Sequence, residues 1–232
     1  MRRFSTLVAA LATVFSIGTA SASNILIDDF SLPSPGAQTL FDNTGAGVSL
    51  VTLVPGTIAP GRTLTHQLIL GAPNNATGSQ SSVGVGDLPN FAPGQLHAAN
   101  GSPSFNSIVT LTWTLAPLTA ALGDSLTIDV LSSNIGVGPG LLANNIDMTI
   151  LGGSATTTHT LFNNFTGSVS HMLVAADIAA LALGTTMTIR FSGDPSWDGS
   201  YDNVRIVPEP ASLALVGLAL VGAGLASRRR KA

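Results

Sequence analysis

The segment Gly193-Asp194-Pro195-Ser196-Trp197-Asp198-Gly199-Ser200-Tyr201-Asp202-Asn203-Val204-Arg205-Ile206 places three aspartates four residues apart. Carboxylates are hard oxygen donors, and a loop that carries several of them has the chemistry calcium needs. Asp28 and Asp29 sit near the other end of the chain, in Ile27-Asp28-Asp29-Phe30. They join the same donor set if the first and last strands pair. The predicted calcium ligands are therefore Asp28, Asp29, Asp194, Asp198 and Asp202. Their alternative role is in Asx turns and caps, and the spacing is not that of an EF-hand loop. Trp197 and Tyr201 flank the same loop. Exposed aromatic rings can stack on the apolar C–H faces of sugars, so these two are the candidate ligand-stacking residues. Trp113, on an apolar strand face, is expected in the core.

Other chemistry is sparse. His66, His97, His159 and His171 form neither a HExxH pair nor a His-x-His motif, and are read as surface or satisfied histidines. There is no Gly-x-Ser-x-Gly elbow, no Walker loop and no dinucleotide fingerprint. Glu209 is the sole glutamate, so a two-carboxylate hydrolase would need aspartates in both roles. The absence of cysteine removes disulfides, thiolate catalysis and thiolate metal sites. Asn-x-Ser/Thr sequons occur at Asn75, Asn100 and Asn164 and are read as chance matches to a three-residue pattern.

The elements that must position these residues are strands. In Ser107–Leu115, Val109, Leu111, Trp113 and Leu115 fall on one face and threonines on the other. Leu126, Ile128 and Val130 repeat that period, as do Ile146, Met148 and Ile150, then Met187, Ile189 and Phe191. Asn24–Phe30, Val48–Val54, Thr63–Leu70, Thr156–Phe162 and Tyr201–Val207 are further predicted strands. Gly152-Gly153 marks a tight turn, and Val174–Leu183 has helical character closed by Gly184. Leu70–Gly101, rich in Gly, Pro, Asn and Ser, is expected to be a long surface loop or edge excursion. About nine or ten strands with one short helix predict an all-β fold: two packed antiparallel sheets in a jelly-roll-like sandwich, with a closed barrel as the second choice.

Both chain ends read as addresses rather than fold. Met1-Arg2-Arg3, the apolar run Leu7–Ile17 and Ala20-Ser21-Ala22 have the three parts of a secretory signal peptide, predicted to be cut after Ala22. At the other end, Val207-Pro208-Glu209-Pro210 precedes an apolar run, Ala211–Ala226, and then Arg228-Arg229-Arg230-Lys231. Sixteen residues of helix reach about 24 Å, short of a hydrocarbon core of about 30 Å. The four cations would stay cytoplasmic and stop transfer, leaving everything before Ala211 outside. Pro208 and Pro210 keep Glu209 in an extended segment open to a protease. The expected division is 1–22 signal, 23–207 sandwich and 208–232 sorting segment. Six of the nine Lys and Arg residues lie in the two end segments; three remain against the twelve acids between Asp28 and Glu209, so the exported product has a net charge near −9 with no lysine. No basic surface for nucleic acid can be assembled from that set.

Pro208-Glu209-Pro210, the apolar helix and the terminal arginine cluster, in this order, resemble the PEP-CTERM sorting signal of Gram-negative bacteria. The resemblance implies recognition by an exosortase, cleavage near Pro-Glu-Pro, and delivery to the cell surface, outer membrane or extracellular polysaccharide matrix. Membrane contact through the C-terminal helix would then be transient. Tyr201–Ile206 and Ile27–Phe30 resemble the closing and opening strands of jelly-roll carbohydrate-binding modules, where a structural calcium often bridges the two ends. The expectation is a non-catalytic structural or adhesive protein in contact with polysaccharide. A secreted hydrolase acting on matrix glycans and a permanently anchored membrane protein stand as the alternatives.

Overall fold

In the computed structural model, residues 23–31, 38–40, 47–53, 59–70, 82–86, 94–100, 106–134 and 144–209 are described. The signal segment, Pro210, the apolar run Ala211–Ala226, Arg228–Lys231 and Asn75 lie outside them. Among the described residues no helix is long and apolar enough to cross a membrane.

Ile25–Val207 forms one compact unit. In chain order its strands are β1 (Ile25–Asp28), β2 (Gln38–Leu40), β3 (Val48–Leu53), β4 (Gly61–Leu70), β5 (Ser82–Gly86), β6 (Gln95–Ala99), β7 (Asn106–Leu115), β8 (Ser125–Asn134), β9 (Asn144–Ile150), β10 (Thr157–Leu161), β11 (Gly167–Met172), β12 (Thr185–Ser192) and β13 (Asp198–Val207), with α1 (Ala175–Leu183) between β11 and β12. They build two antiparallel sheets. The first runs β11-β8-β13-β6-β5-β2, with β1 also paired to β13; the second runs β10-β9-β12-β7-β4-β3. This is the antiparallel, jelly-roll-like sandwich expected from the alternation.

Period-2 patterning explains the core. Val109, Leu111, Trp113 and Leu115 of β7 are buried, and the threonines between them are not. The register sets Met187 beside Trp113, Ile189 beside Leu111 and Phe191 beside Val109. Ile128 and Val130 of β8 and Val204 and Ile206 of β13 come from the other sheet. Across the interior, the Phe191 and Tyr201 rings meet with centroids 4.3 Å apart. Gly152, at φ 77, turns the chain out of β9, and Gly184, at φ 78, closes α1 with its N–H on the Leu181 carbonyl.

One sequence expectation holds only in part, because the edge excursion is built of strands that reach the core. Leu70–Gly101 is not a loop throughout, because it contains β5 and β6. Val83, Val85, Leu96 and Ala98 from these strands are buried in the core. Their small residues, Ser-Val-Gly-Val-Gly and Gln-Leu-His-Ala-Ala, give too little bulk to announce a strand.

Candidate functional site

The first and last strands do pair: Ile25 lies opposite Ile206 and Asp28 opposite Val204. A register shift between Leu26 and Asp28 then turns Asp28 inward, where it is fully buried. Its carboxylate accepts from Arg62 Nη1 at 2.5 Å, from Trp113 Nε1 at 2.9 Å and from the Phe30 amide at 2.8 Å. Asp28 is thus a core ion pair that ties β1 of one sheet to β4 and β7 of the other, and not a carboxylate turned to the surface loop. Asp29 accepts from the amide and hydroxyl of Ser31. Asp198 accepts from the Asn100 amide at 2.6 Å, and burial pushes its carboxyl up against that bond. For Asp202, burial raises the carboxyl, the Asn203 amide offsets part of the rise, and the negative Asp129 and Asp29 add to it. Asp194 lends its carbonyl to the Trp197 amide at 3.1 Å. Among the described residues no group of three or more histidines or acids is placed to hold a metal ion.

The stacking expectation for Trp197 and Tyr201 is corrected. Trp197 is 0% and Tyr201 1% exposed, so neither ring offers a face to a sugar. Trp197 Nε1 donates to the Ser107 carbonyl at 3.0 Å, beneath the loop rather than above it. In β13 the alternation turns Gly199 and Tyr201 inward and Ser200 outward. A Cβ on Gly199 would run into the Tyr201 ring and hydroxyl, so the glycine is what lets that ring lie flat in the core. Among the described residues the exposed aromatic is Phe162, at 72%.

A polar cluster that spacing did not announce closes the open edge of the sandwich. Asp177, in the first turn of α1, is fully buried. It accepts from the Val174 amide at 3.0 Å, the Ser154 amide at 2.7 Å, the Ser154 hydroxyl at 3.0 Å and His171 Nε2 at 3.1 Å. With Nε2–H directed to the carboxylate, His171 Nδ1 accepts from the Thr157 hydroxyl at 2.6 Å. Burial raises the Asp177 carboxyl, but the donors from Ser154, Val174 and His171 outweigh it and hold it below the usual range. The order hydroxyl–imidazole–carboxylate is that of a general-base relay. Here it joins β10, the edge of one sheet, to β11, the edge of the other. His171 is 5% exposed, so the ring is a buried strut. The sequence offered one clue: an acid, Asp177, in the first turn of the predicted helix Val174–Leu183.

The outer face of the β10-to-β3 sheet is paved with hydroxyls. One row crosses neighbouring strands as Thr63, Thr112, Thr188 and Thr149. The next runs Ser49, Thr65, Thr110, Arg190, Asp147 and Thr158. Ser49 bonds Thr65 at 2.8 Å, Arg190 pairs with Asp147 at 3.0 Å, and Thr158 donates to Asp147 at 2.7 Å. Strands about 4.8 Å apart set the spacing within each row.

The final strand decides the address. β13 ends at Val207, and residues 207–231 match the PEP-CTERM protein-sorting motif. The chain carries a PEP-CTERM sorting signal. That motif marks it for export and sorting to the surface or beyond, and the PEP-CTERM segment starts on the last residue of the sandwich. No curated protein matches the sequence. Solved structures that align with it include the N-terminal CBM22-1-GH10 modules of the Clostridium thermocellum endo-1,4-beta-D-xylanase 10B complexed with xylohexaose. That alignment has 12% identity and TM-score 0.35, and it covers 80% of this chain but 28% of the xylanase chain. The family 11 carbohydrate-binding module of the cellulosomal cellulase Lic26A-Cel5E of Clostridium thermocellum aligns at 9% identity and TM-score 0.34, covering 82% of this chain and 97% of the module. The N-terminal domain of the Streptococcus gordonii adhesin Sgo0707 aligns at 8% identity and TM-score 0.36, covering 81% and 59%.

Proposed function

We propose that this PEP-CTERM protein is an exosortase substrate whose mature sandwich serves outside the cell as a non-catalytic structural or adhesive component in contact with polysaccharide. The observation that carries the reading is the junction itself: the motif begins at Val207, so a cut near Pro208-Glu209-Pro210 releases the sandwich with all thirteen strands of the described residues. The hydroxyl-paved face supports the polysaccharide part. Threonines offer donors, acceptors and methyl groups together, which suits a surface of sugar hydroxyls and C–H faces. Asp177 supports the non-catalytic part, since four donors engage its carboxylate.

Two measurements test this. Intact mass of the protein recovered from the cell exterior should show a start near Ser23 and loss of Arg228–Lys231. Retention of those four cations on the surface form would establish the permanent anchor instead. The mature domain should also sediment with the matrix polysaccharide of its own cells, and Thr112→Glu with Thr188→Glu should abolish that without unfolding it. Co-sedimentation that survives both changes removes the face from the proposal. The calcium expectation has its own test, with Asp29, Asp194, Asp198 and Asp202 as the remaining candidate donors, since Asp28 is already engaged by Arg62. A Tm that rises in millimolar calcium and falls with chelator supports it; an unmoved Tm ends it.

A further inference from the structure

The three sequons are not equivalent in space. Asn100 is fully buried; its Nδ2 donates to the Trp197 carbonyl at 2.7 Å and its amide to Asp198 at 2.6 Å, so no transferase could reach it. Asn164 is the opposite case. It is exposed, at φ 59, in the tight turn Phe162-Asn163-Asn164-Phe165 that joins β10 to β11. The turn is closed by the Phe165 amide on the Phe162 carbonyl at 3.2 Å and pinned to β8 by the Asn164 amide on the Ser133 carbonyl at 2.7 Å. A positive φ at the third turn position is tolerated best by glycine and asparagine. The backbone is therefore fixed, while the Asn164 side chain makes no hydrogen bond to the described residues. Thr166, the third sequon residue, is exposed as well.

Phe162 is the second, independent observation. Phe165 of the same turn packs against the core, whereas Phe162 stays 72% exposed two residues before Asn164. An exposed phenyl ring is poorly suited to water, and well suited to the apolar face of a sugar held beside it.

We infer that Asn164 is an N-glycosylation site, with the first sugar of the glycan resting on Phe162. The inference rests on the export reading, because sequon glycosylation belongs to exported chains. The donor class is a lipid-linked sugar pyrophosphate. Asn164 Nδ2 forms the new bond to the anomeric carbon, the bond from that carbon to the pyrophosphate oxygen breaks, and the lipid pyrophosphate leaves with the electron pair. One amide proton goes to the base of the transferase. Asn163-Asn164 in a fixed turn presents that nitrogen without any unfolding of the sheets.

The test is peptide mass analysis of the full protein from its native cells. A protease that cuts before aspartate releases residues 147–176, which contain Asn164 and neither other sequon. A glycan-sized mass excess is expected on this peptide. It should vanish in Asn164→Gln and in Thr166→Ala, persist in Thr166→Ser, and be unaffected by Asn100→Gln. Phe162→Ala should keep the excess yet narrow the Tm difference between the modified chain and Asn164→Gln; an unchanged difference overturns the stacking. A bare peptide from exterior protein with both termini processed overturns the modification and leaves the export reading standing. Full-length protein retained in the cytosol overturns the export reading, and a bare peptide there overturns this one too.

Discussion

Asp28 and Asp177 are both 0% exposed, yet their carboxyl groups are held in different ways. Asp28 is paired with a cation, one Arg62 nitrogen at 2.5 Å, beside the Trp113 indole and the Phe30 amide that it also accepts from; the guanidinium carbon lies 5.4 Å from the centre of the Phe30 ring. Asp177 relies on dipoles: two backbone amides, a hydroxyl and an imidazole. The Arg62 pair is the less complete arrangement, since its Nε and Nη2 have no hydrogen-bond partner among the described residues. An ion pair in a core holds two strands in register at a desolvation cost, whereas a carboxylate solvated by turn and helix amides holds local chain geometry. The first joins the sheets across the middle of the sandwich. The second seals its edge.

The largest effect should come from leaving Asp28 without its cation. Arg62→Met is expected to cost about 3–5 kcal/mol in urea unfolding, as for other buried pairs broken on one side. Adding Asp28→Asn should recover most of that loss, because the amide still accepts from Trp113 and no charge is stranded. A double variant as unstable as the single one would mean the pair itself stabilises, and the contrast with Asp177 would collapse.

Asp177→Ala should cost roughly 2–3 kcal/mol, the scale of several hydrogen bonds to one charge. It should also change the acid limb of the stability curve. The folded carboxyl lies below its ordinary range, so its contribution is complete above the unfolded value and is lost as pH falls through the folded one. Acid unfolding of Asp177→Ala should accordingly be less steep than that of the parent. An identical acid limb would remove the dipole-solvation account.

What could be read in advance follows from where the information lies. The sorting segment is a linear signal, so its order of Pro-Glu-Pro, apolar run and cations needed no fold to be legible. Strands β7, β8, β9 and β12 were legible because bulky residues alternate with threonine, serine or aspartate. The site residues were not. Asp28 reads as a surface ligand until the register shift at Leu26 turns it inward. Trp197 reads as a loop aromatic until its indole N–H finds the Ser107 carbonyl from 90 residues away. His171 and Thr157 come from different sheets, and only the packing of the two edges brings them together.

His97 sharpens the comparison as a buried group that is kept neutral. Its Nδ1 lies 2.7 Å from the Ser200 hydroxyl, and burial lowers its pKa to about 4. A base with a depressed folded pKa resists protonation that the unfolded chain accepts. Stability should therefore decline as pH drops from about 6.5 to about 4 and level off below. His97→Asn should flatten that interval; a curve unchanged between those limits would show that the ring is not held neutral.

Tyr201 supplies the remaining case, a buried hydroxyl with no hydrogen bond among the described residues. Burial, with Asp198 adding to it, pushes the phenol far above its ordinary range. An unsatisfied hydroxyl in a core is a desolvation cost with no compensating bond. Tyr201→Phe keeps the ring stacked on Phe191 and removes that oxygen, so it should raise stability by up to about 1 kcal/mol. A loss of stability instead would mean that the oxygen is satisfied, and Tyr201 would then join Asp177 as a dipole-held group.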